Sequence, residues 1–237
     1  LLQPDKRAIE APPGHLDLYW DGHQLAFVYE PLPIVDKLIQ LLENPQDETP
    51  AQPQKVLYYF FNLLTESDTA FLQDIEEEIS DLEDALARDE KLDYIDKISL
   101  LRKRLLRWKR YYESLFDLLV DLEENQNGFF TKQQLHYFHL VTNRADRLTR
   151  SVMNLRDYVT QVRESYQAQI DISQNQIMKL FTVITAVFLP LSLIATWYGM
   201  NLKMPEYSAP WAYPVVIIAS LAVGLGCLAY FKIKKWF

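Results

Sequence analysis

The sequence has little of what most catalytic chemistry needs. Among 237 residues there are one cysteine, six glycines and four histidines. The lone Cys227 excludes a disulfide framework and a four-cysteine zinc site. No Walker-type glycine loop is present. The histidines, the cysteine and the scattered carboxylates form no recognisable triad or metal signature, so neither an enzyme nor a catalytic cofactor is expected. Basic charge is also in deficit. Lysine and arginine total 24 against 32 acidic residues, and a net charge of −8 argues against a nucleic-acid partner. The opening "LLQPDKRAIEAPPGH" is polar and proline-rich, without a signal-peptide pattern.

The residues that are present are unevenly distributed. Nearly all the acidic residues precede residue 170, and the continuous apolar sequence follows it. Leu180 to Tyr198 carries no ionisable acid or base, and Ala212 to Phe231 is equally apolar. At roughly 20 residues each, both match the length needed to cross about 30 Å of hydrocarbon. Lys232, Lys234 and Lys235 close the second run, and Arg163 and Lys179 precede the first. The connecting loop, 199–211, offers only Lys203, balanced by Glu206. The basic side stays cytosolic, so both termini are expected in the cytosol, with 232–237 as a basic tail. Trp197, Tyr198, Trp211 and Tyr213 then form an aromatic belt at the outer interface.

The remainder reads as mainly α. "GHLDLYWDGHQLAFVYEP" alternates around Asp21-Gly22, which predicts a small β-hairpin, and "LPIVDKLIQLLEN" predicts an amphipathic helix. Together with a proline-rich linker over 44–54 they make an N-terminal region, 1–54. Residues 55–127 read as an antiparallel helical hairpin packed on a stalk. Its first helix, from about Lys55 to Arg88, bears an acidic face of Asp74, Glu76, Glu77, Glu78, Asp81, Glu83 and Asp84. Its second, from about Leu92 to Glu123, carries Arg102, Lys103, Arg104, Arg107, Lys109 and Arg110, with Gly128 as the expected C-terminal cap.

No proline interrupts Thr131 to Leu189, so a cytosolic stalk helix over 128–179 is expected to continue into the first span, 180–198. Leu148, Val152, Leu155, Val159, Val162 and Tyr166 alternate spacings of four and three, the pattern of a coiled-coil seam. The alternation persists in Asn175, Met178, Thr182, Thr185, Leu189, Ser192 and Thr196, which places amides and hydroxyls on one face. Serine and threonine in lipid commonly bond back to carbonyls four residues earlier. Alignment on one stripe ending at Asn201 fits a water-lined path better. Two spans per chain cannot enclose a pore, so such a path requires a homo-oligomer with this helix innermost.

"YGMN" at the end of a first span, then "MPE", a second span of about 20 residues and "YFKIKKWF", resembles the CorA family of divalent-metal transporters, which includes magnesium, cobalt and zinc carriers. The similarity covers roughly residues 55–237 and is closest over "NQIMKLFTVITAVFLPLSLIATWYGMN". The resemblance implies a homopentameric funnel in the inner membrane of a bacterium, with the first span lining the pore. It assigns Gly199, Met200 and Asn201 to the signature at the outer mouth, Asn175 to a polar ring and Met178 to an apolar constriction. Thr182, Leu189 and Ser192 match further pore-facing positions, Leu189 standing where methionine is typical. The lipid bilayer and a transported divalent cation, magnesium first and zinc, cobalt or nickel as alternatives, are the implied partners.

This chain departs from that family pattern in two places. The family carries a larger cytosolic α/β domain than the 1–54 region, which suggests a short-N-domain member or a domain only partly represented. The stalk stretch "YFHLVTNRAD" places Leu140 and Asn143 where family members that sense magnesium have aspartates. His136, His139, Asn143 and Asp146 share helical spacing there and form a candidate zinc site, with packed or solvated histidines as the alternative. A membrane-anchored coiled-coil scaffold without conduction is the competing function class. It gives no reason for the in-membrane stripe.

Overall fold

A computed structural model describes residues 2–3, 14–21, 24–29, 33–43, 52–88, 93–200, 209–234 and 236. The chain divides into two compact units, Leu1–Tyr166 and Gln167–Phe237.

The first unit begins with three antiparallel strands, β1 (Leu2–Gln3), β2 (Gly14–Trp20) and β3 (Leu25–Tyr29), in the order β1-β2-β3. Leu16 pairs with Tyr29 and Trp20 with Leu25. Asp21 holds the turn between β2 and β3: its carboxylate accepts from the Gln24 amide at 2.7 Å. The β1 strand, which joins the edge of β2, carries no alternation that would have announced it.

Helix α1 spans Pro33–Glu43 and buries Val35 and Leu38. The single helix expected from about Lys55 to Arg88 is two: α2 (Pro53–Glu66) and α3 (Asp68–Ala87). Ser67 leaves helical geometry at ψ 3°, and each helix then turns its own apolar face inward, Leu57, Phe60, Phe61 and Leu64 on α2, Leu72, Ile75 and Ile79 on α3. A Ser-Asp pair is a helix-start signal, and the continuous apolar periodicity masks it.

Helix α4 (Tyr94–Glu124) starts at Asp93, whose carboxylate accepts from the Asp96 amide. It ends not at Gly128 but at Asn125, which takes the left-handed conformation at φ 49°. The Asn125 side chain brackets Phe130, donating to its carbonyl at 2.9 Å and accepting from its amide at 3.0 Å. Gly128 also has positive φ, at 69°, three residues into the connection. Asparagine tolerates this region and supplies local hydrogen bonds that glycine lacks. Thr131 and Gln134 then form a reciprocal capping box that opens helix α5 (Lys132–Tyr198).

Phe71 stacks on Trp108 at 4.7 Å, and Glu78 pairs with Arg104 at 2.8 Å, so α3 and α4 run antiparallel. Leu148, Val152, Leu155, Val159 and Val162 of α5 are buried against this pair. Tyr166 stacks on Tyr94 at 5.2 Å, and the Tyr158 hydroxyl donates to Glu83 at 2.6 Å. The seam is therefore filled from within the same chain. Beneath it Trp108, Tyr111 and Tyr112 cluster beside fully buried Asp68. Burial, reinforced by the Asp68 charge, pushes both tyrosine hydroxyls well above their ordinary pKa.

In the second unit α5 runs on past Pro190 to Tyr198, and α6 covers Ala212–Ile233. Both helices are long and apolar enough to cross a membrane. Val183 and Phe231 are buried, the latter against Trp236, and Leu191 lies across from Gly224. Most other side chains on the two helices are exposed.

Leu105→Ala, at a fully buried position, should lower unfolding free energy by about 2–5 kcal/mol, read from denaturant unfolding of the solubilised protein. The two tyrosines predict a pH effect. Their folded pKa lies above the unfolded value of 10.0, so the contribution is intact below that pH. Above it the unfolded chain loses protons that the folded chain keeps, and stability should fall by up to about 1.4 kcal/mol per pH unit per tyrosine. Unfolding titrations should show that decline, and Tyr111→Phe/Tyr112→Phe should flatten it.

Candidate functional site: a polar stripe ending at a glycine

The stripe foreseen on the first span lies on the exposed side of α5. Asn175, Met178, Thr182, Thr185, Leu189, Ser192 and Thr196 are all exposed, Met178 at 63% and Leu189 at 70%. At about 100° per residue these positions cluster near one direction, drifting only about 20° per heptad. Val183, Val187, Leu191 and Ile194, which face α6, point roughly the opposite way. Contact with α6 therefore uses one side of α5 and leaves the stripe uncovered by its own unit.

The hydroxyls on the stripe are not idle. Thr182 donates to the Met178 carbonyl and Thr185 to the Phe181 carbonyl, both at 2.8 Å. This is the back-bonding expected of threonine in an apolar helix. It consumes the single hydroxyl donor and leaves the oxygen lone pairs as outward-facing acceptors. The stripe thus presents hydroxyl oxygens, the Asn175 amide, a thioether and alkyl groups, with no formal charge.

Helix α5 stops at the predicted signature. The Gly199 amide donates to the Ala195 carbonyl at 2.9 Å, and Met200 to Trp197 at 3.5 Å. A Cβ on Gly199 would stand 2.9 Å from the Ala195 carbonyl oxygen, closer than real side chains tolerate. Asn201, Lys203 and Glu206 lie outside the described residues, as does Lys235. Trp197, Trp211 and Tyr213 are exposed at this end, and Lys232 and Lys234 are exposed at the far end of α6.

The stalk candidates for zinc are not brought together. His139 Nδ1 pairs with Glu123 at 3.1 Å, and Asp146 pairs with Arg150 at 2.9 Å. Among the described residues no three His, Cys, Asp or Glu side chains form a metal-ligating group, and His136 sits beside the Tyr137 ring. Helical spacing puts these residues on one face, where His139 and Asp146 are each engaged in an ion pair within the chain. The acidic face of α3 is solvated and partly tied down, through Glu78 to Arg104, Glu83 to Tyr158 and Asp84 to Arg88.

Two features escaped the sequence reading. Arg144 reaches from α5 to Asn62 and Thr65 of α2, at 2.8 and 3.3 Å, and no local pattern announces such a contact. An open apolar groove also runs between α5 and α6 beside Gly224. Its signal was the small pair Ser220 and Gly224 at four-residue spacing, which favours close helix approach in membranes.

These features define a predominantly helical protein with two paired apolar helices of membrane-crossing length, one of them bearing a polar stripe. The chain belongs to the CorA-like Mg2+ transporter protein family, whose sequence profile matches residues 18–235. It is 28% identical over 182 residues to the cobalt/magnesium transport protein CorA of Thermotoga maritima, covering 76% of this chain and 52% of that protein. It is 25% identical over 206 residues to the putative metal ion transporter YfjQ of Bacillus subtilis, covering 86% and 65%. Over 68 residues, 28% of this chain and 22% of the relative, identity to the magnesium transport protein CorA of Escherichia coli is 47%. The chain spans about half the length of the Thermotoga relative.

The fold is shared with the CorA magnesium transporter of Methanocaldococcus jannaschii, at TM-score 0.79 and 21% identity over 95% of this chain and 76% of that one. It is shared also with the full-length CmaX protein, at TM-score 0.73 and 22% identity over 94% and 69%.

Gly199→Ala should force the end of α5 to shift, at a strain of about 1–3 kcal/mol, read as lost unfolding free energy of the solubilised protein. Gly226→Ala, whose Cβ would meet nothing within 4 Å, is the silent control.

Proposed function

We propose that the chain is one subunit of a homo-oligomeric channel that conducts divalent metal cations passively, magnesium in first place, along the polar stripe of α5. The observation that carries this reading is the coincidence of that stripe with the face that α6 leaves uncovered. Several copies standing with those faces inward would enclose a path. By the family resemblance the copies would number five, and Asn201, outside the described residues, would form a ring of amide carbonyls at the outer mouth.

The chemistry favours a hydrated ion. Mg²⁺ holds its octahedral waters tightly and gives them up reluctantly. Those waters donate hydrogen bonds outward, so the lining they need is one of acceptors. Threonine oxygens whose protons are already given to the backbone supply that lining, and the carbonyl of an asparagine ring would do the same. A carboxylate ring would hold the dication strongly and slow its exit, whereas neutral oxygens let go. Apolar side chains at Met178 and Leu189 alternate with the oxygens and would narrow the path into constrictions that close by dewetting.

The driving force is the membrane potential, about 2.3 kcal/mol per charge per 100 mV and so roughly twice that for a dication moving inward. The basic residues near the ends of both spans support an orientation with both termini in the cytosol, in an inner or plasma membrane. Zinc, cobalt or nickel would use the same path, and selection among them would rest on how readily each sheds water.

Flux into liposomes under an imposed voltage tests this reading, with Mg²⁺ and Zn²⁺ measured separately. The wild-type chain should pass Mg²⁺, and Asn201→Ala should reduce the rate by about 10-fold or more, on the order of the 1.4 kcal/mol that a lost ring of ion contacts represents. Zinc flux without magnesium flux would replace the ion and keep the channel. Flux of neither ion would leave the scaffold reading.

A further inference from the structure

Between α3 and α5 the first unit carries an open cleft of about 510 Å³. Thr69, Gln73 and Glu76 border it from α3, and Arg144, Arg147, Ser151 and Asn154 border it from α5. Within each run the steps are three or four residues, which keeps the side chains on one side of their helix and turned toward the cleft. Leu72 and Leu148 at its base are buried. The walls are otherwise polar, and they include two guanidiniums and a single carboxylate.

Charge is separated along the cleft. Helices α3 and α5 run parallel, since each is antiparallel to α4, and Tyr158 meets Glu83. Seven residues back on both helices, Glu76 comes level with Ser151, and seven further back Thr69 comes level with Arg144. At 1.5 Å per residue those two levels lie about 10 Å apart. Arg144, with Arg147 one turn on, therefore makes one end cationic, and Glu76 stands toward the other. The Arg144 Nη1 donates to Asn62 at 2.8 Å and to Thr65 at 3.3 Å, which holds the guanidinium toward α2 and away from Glu76. Among the described residues, no hydrogen bond or ion pair engages the side chains of Thr69, Gln73, Arg147 or Asn154.

We propose that this cleft binds a phosphate monoester of a small polyhydroxylated molecule, with the phosphate held by Arg144 and Arg147 and the hydroxyls turned toward Glu76 and Asn154. The lining sets that choice. Guanidiniums present forks of N–H donors that match phosphate oxygens, and Thr69 and Gln73 add donors beside them. The Glu76 carboxylate accepts from a hydroxyl and repels a second phosphate, so a monoester fits where a polyphosphate does not. A divalent cation is a poor occupant, because one carboxylate faces two positive charges and no three ligating side chains gather among the described residues. The site lies within the first unit and rests neither on ion conduction nor on the membrane reading.

The test is isothermal titration calorimetry of the full chain in detergent with ribose 5-phosphate, inorganic phosphate, pyrophosphate and ribose. Wild type should bind ribose 5-phosphate once per chain, more tightly than inorganic phosphate, and should bind neither pyrophosphate nor ribose. Arg147→Ala removes an exposed side chain and should leave unfolding unchanged, yet weaken the ester about ten-fold or more. Arg147→Lys, which keeps the charge and loses the fork, should recover part of that loss. Glu76→Gln should keep the ester and admit pyrophosphate. Failure of ribose 5-phosphate to bind overturns the site. So does binding that survives Arg144→Ala/Arg147→Ala, which would show only diffuse surface attraction. Equal affinity for ribose 5-phosphate and inorganic phosphate overturns the assignment to a polyol ester. Loss of the oligomer on Arg147→Ala, in a wild type that binds no phosphate, overturns it by giving the cleft to a neighbouring copy. Because the readout is heat of binding, it is independent of whether ions flow.

Discussion

Everything in the second unit follows from the rule that hydrocarbon offers no hydrogen-bonding partner. Each backbone amide in an apolar span must be satisfied within its own helix, and each side-chain donor must find an acceptor near by. Helix α5 meets that rule through Thr182 and Thr185, whose hydroxyls bond back to carbonyls one turn earlier. Helix α6 meets it through Ser220 in the same way. The same arrangement on the two helices has different consequences. On α6 the hydroxyl closes off a slot and leaves it apolar. On α5 the oxygens lie in a row on a face that nothing in the unit covers, where their remaining lone pairs need water or an ion's hydration shell.

The first unit is held by a different interaction. Aromatic packing around Trp108, with Phe71, Tyr111 and Tyr112 about it, ties α3 to α4, and the α5 seam closes over the pair. Opposite charge on α3 and α4 favours their pairing, and the Arg104–Glu78 bridge joins them, with its acid half exposed. Exposed pairs of this kind contribute about 0–1 kcal/mol, and a single buried aromatic contributes more. Charge therefore selects the partner and register, and burial supplies the stability.

How much could be read from the sequence depended on the range of the signal. Helices α4 and α5 and the polar stripe were legible because their periodicity is long and uninterrupted, and α6 because about twenty apolar residues run together. The break at Ser67 was not, because Leu64, Phe71 and Leu72 keep helical spacing across it and only the backbone reveals the step. Gly128 was chosen as the cap on propensity, whereas Asn125 takes the role because its side chain can reach both polar groups of Phe130. The stalk histidines shared a face by spacing, but His139 answers to Glu123 on another helix. A pattern within one helix can reveal which residues lie together. It carries no information on what another helix will place against them, which is why the reach of Arg144 to α2 was invisible.

The circumference of α5 in the apolar segment can now be divided. One sector packs on α6 through Val183 and Val187, the next borders the groove through Leu191 and Ala195, and the opposite side bears the stripe. Helical spacing keeps the three sectors apart, since a residue on the stripe has its nearest neighbours three and four positions away, on the stripe as well. The chain can thus vary the polarity of the proposed ion path without disturbing how its two helices hold together. Lys179 marks the limit of this independence. It stands one position after Met178, so about 100° of helix surface separates its charge from the thioether on the stripe. A dication leaving the proposed path would pass a ring of such charges on its way to the cytosol.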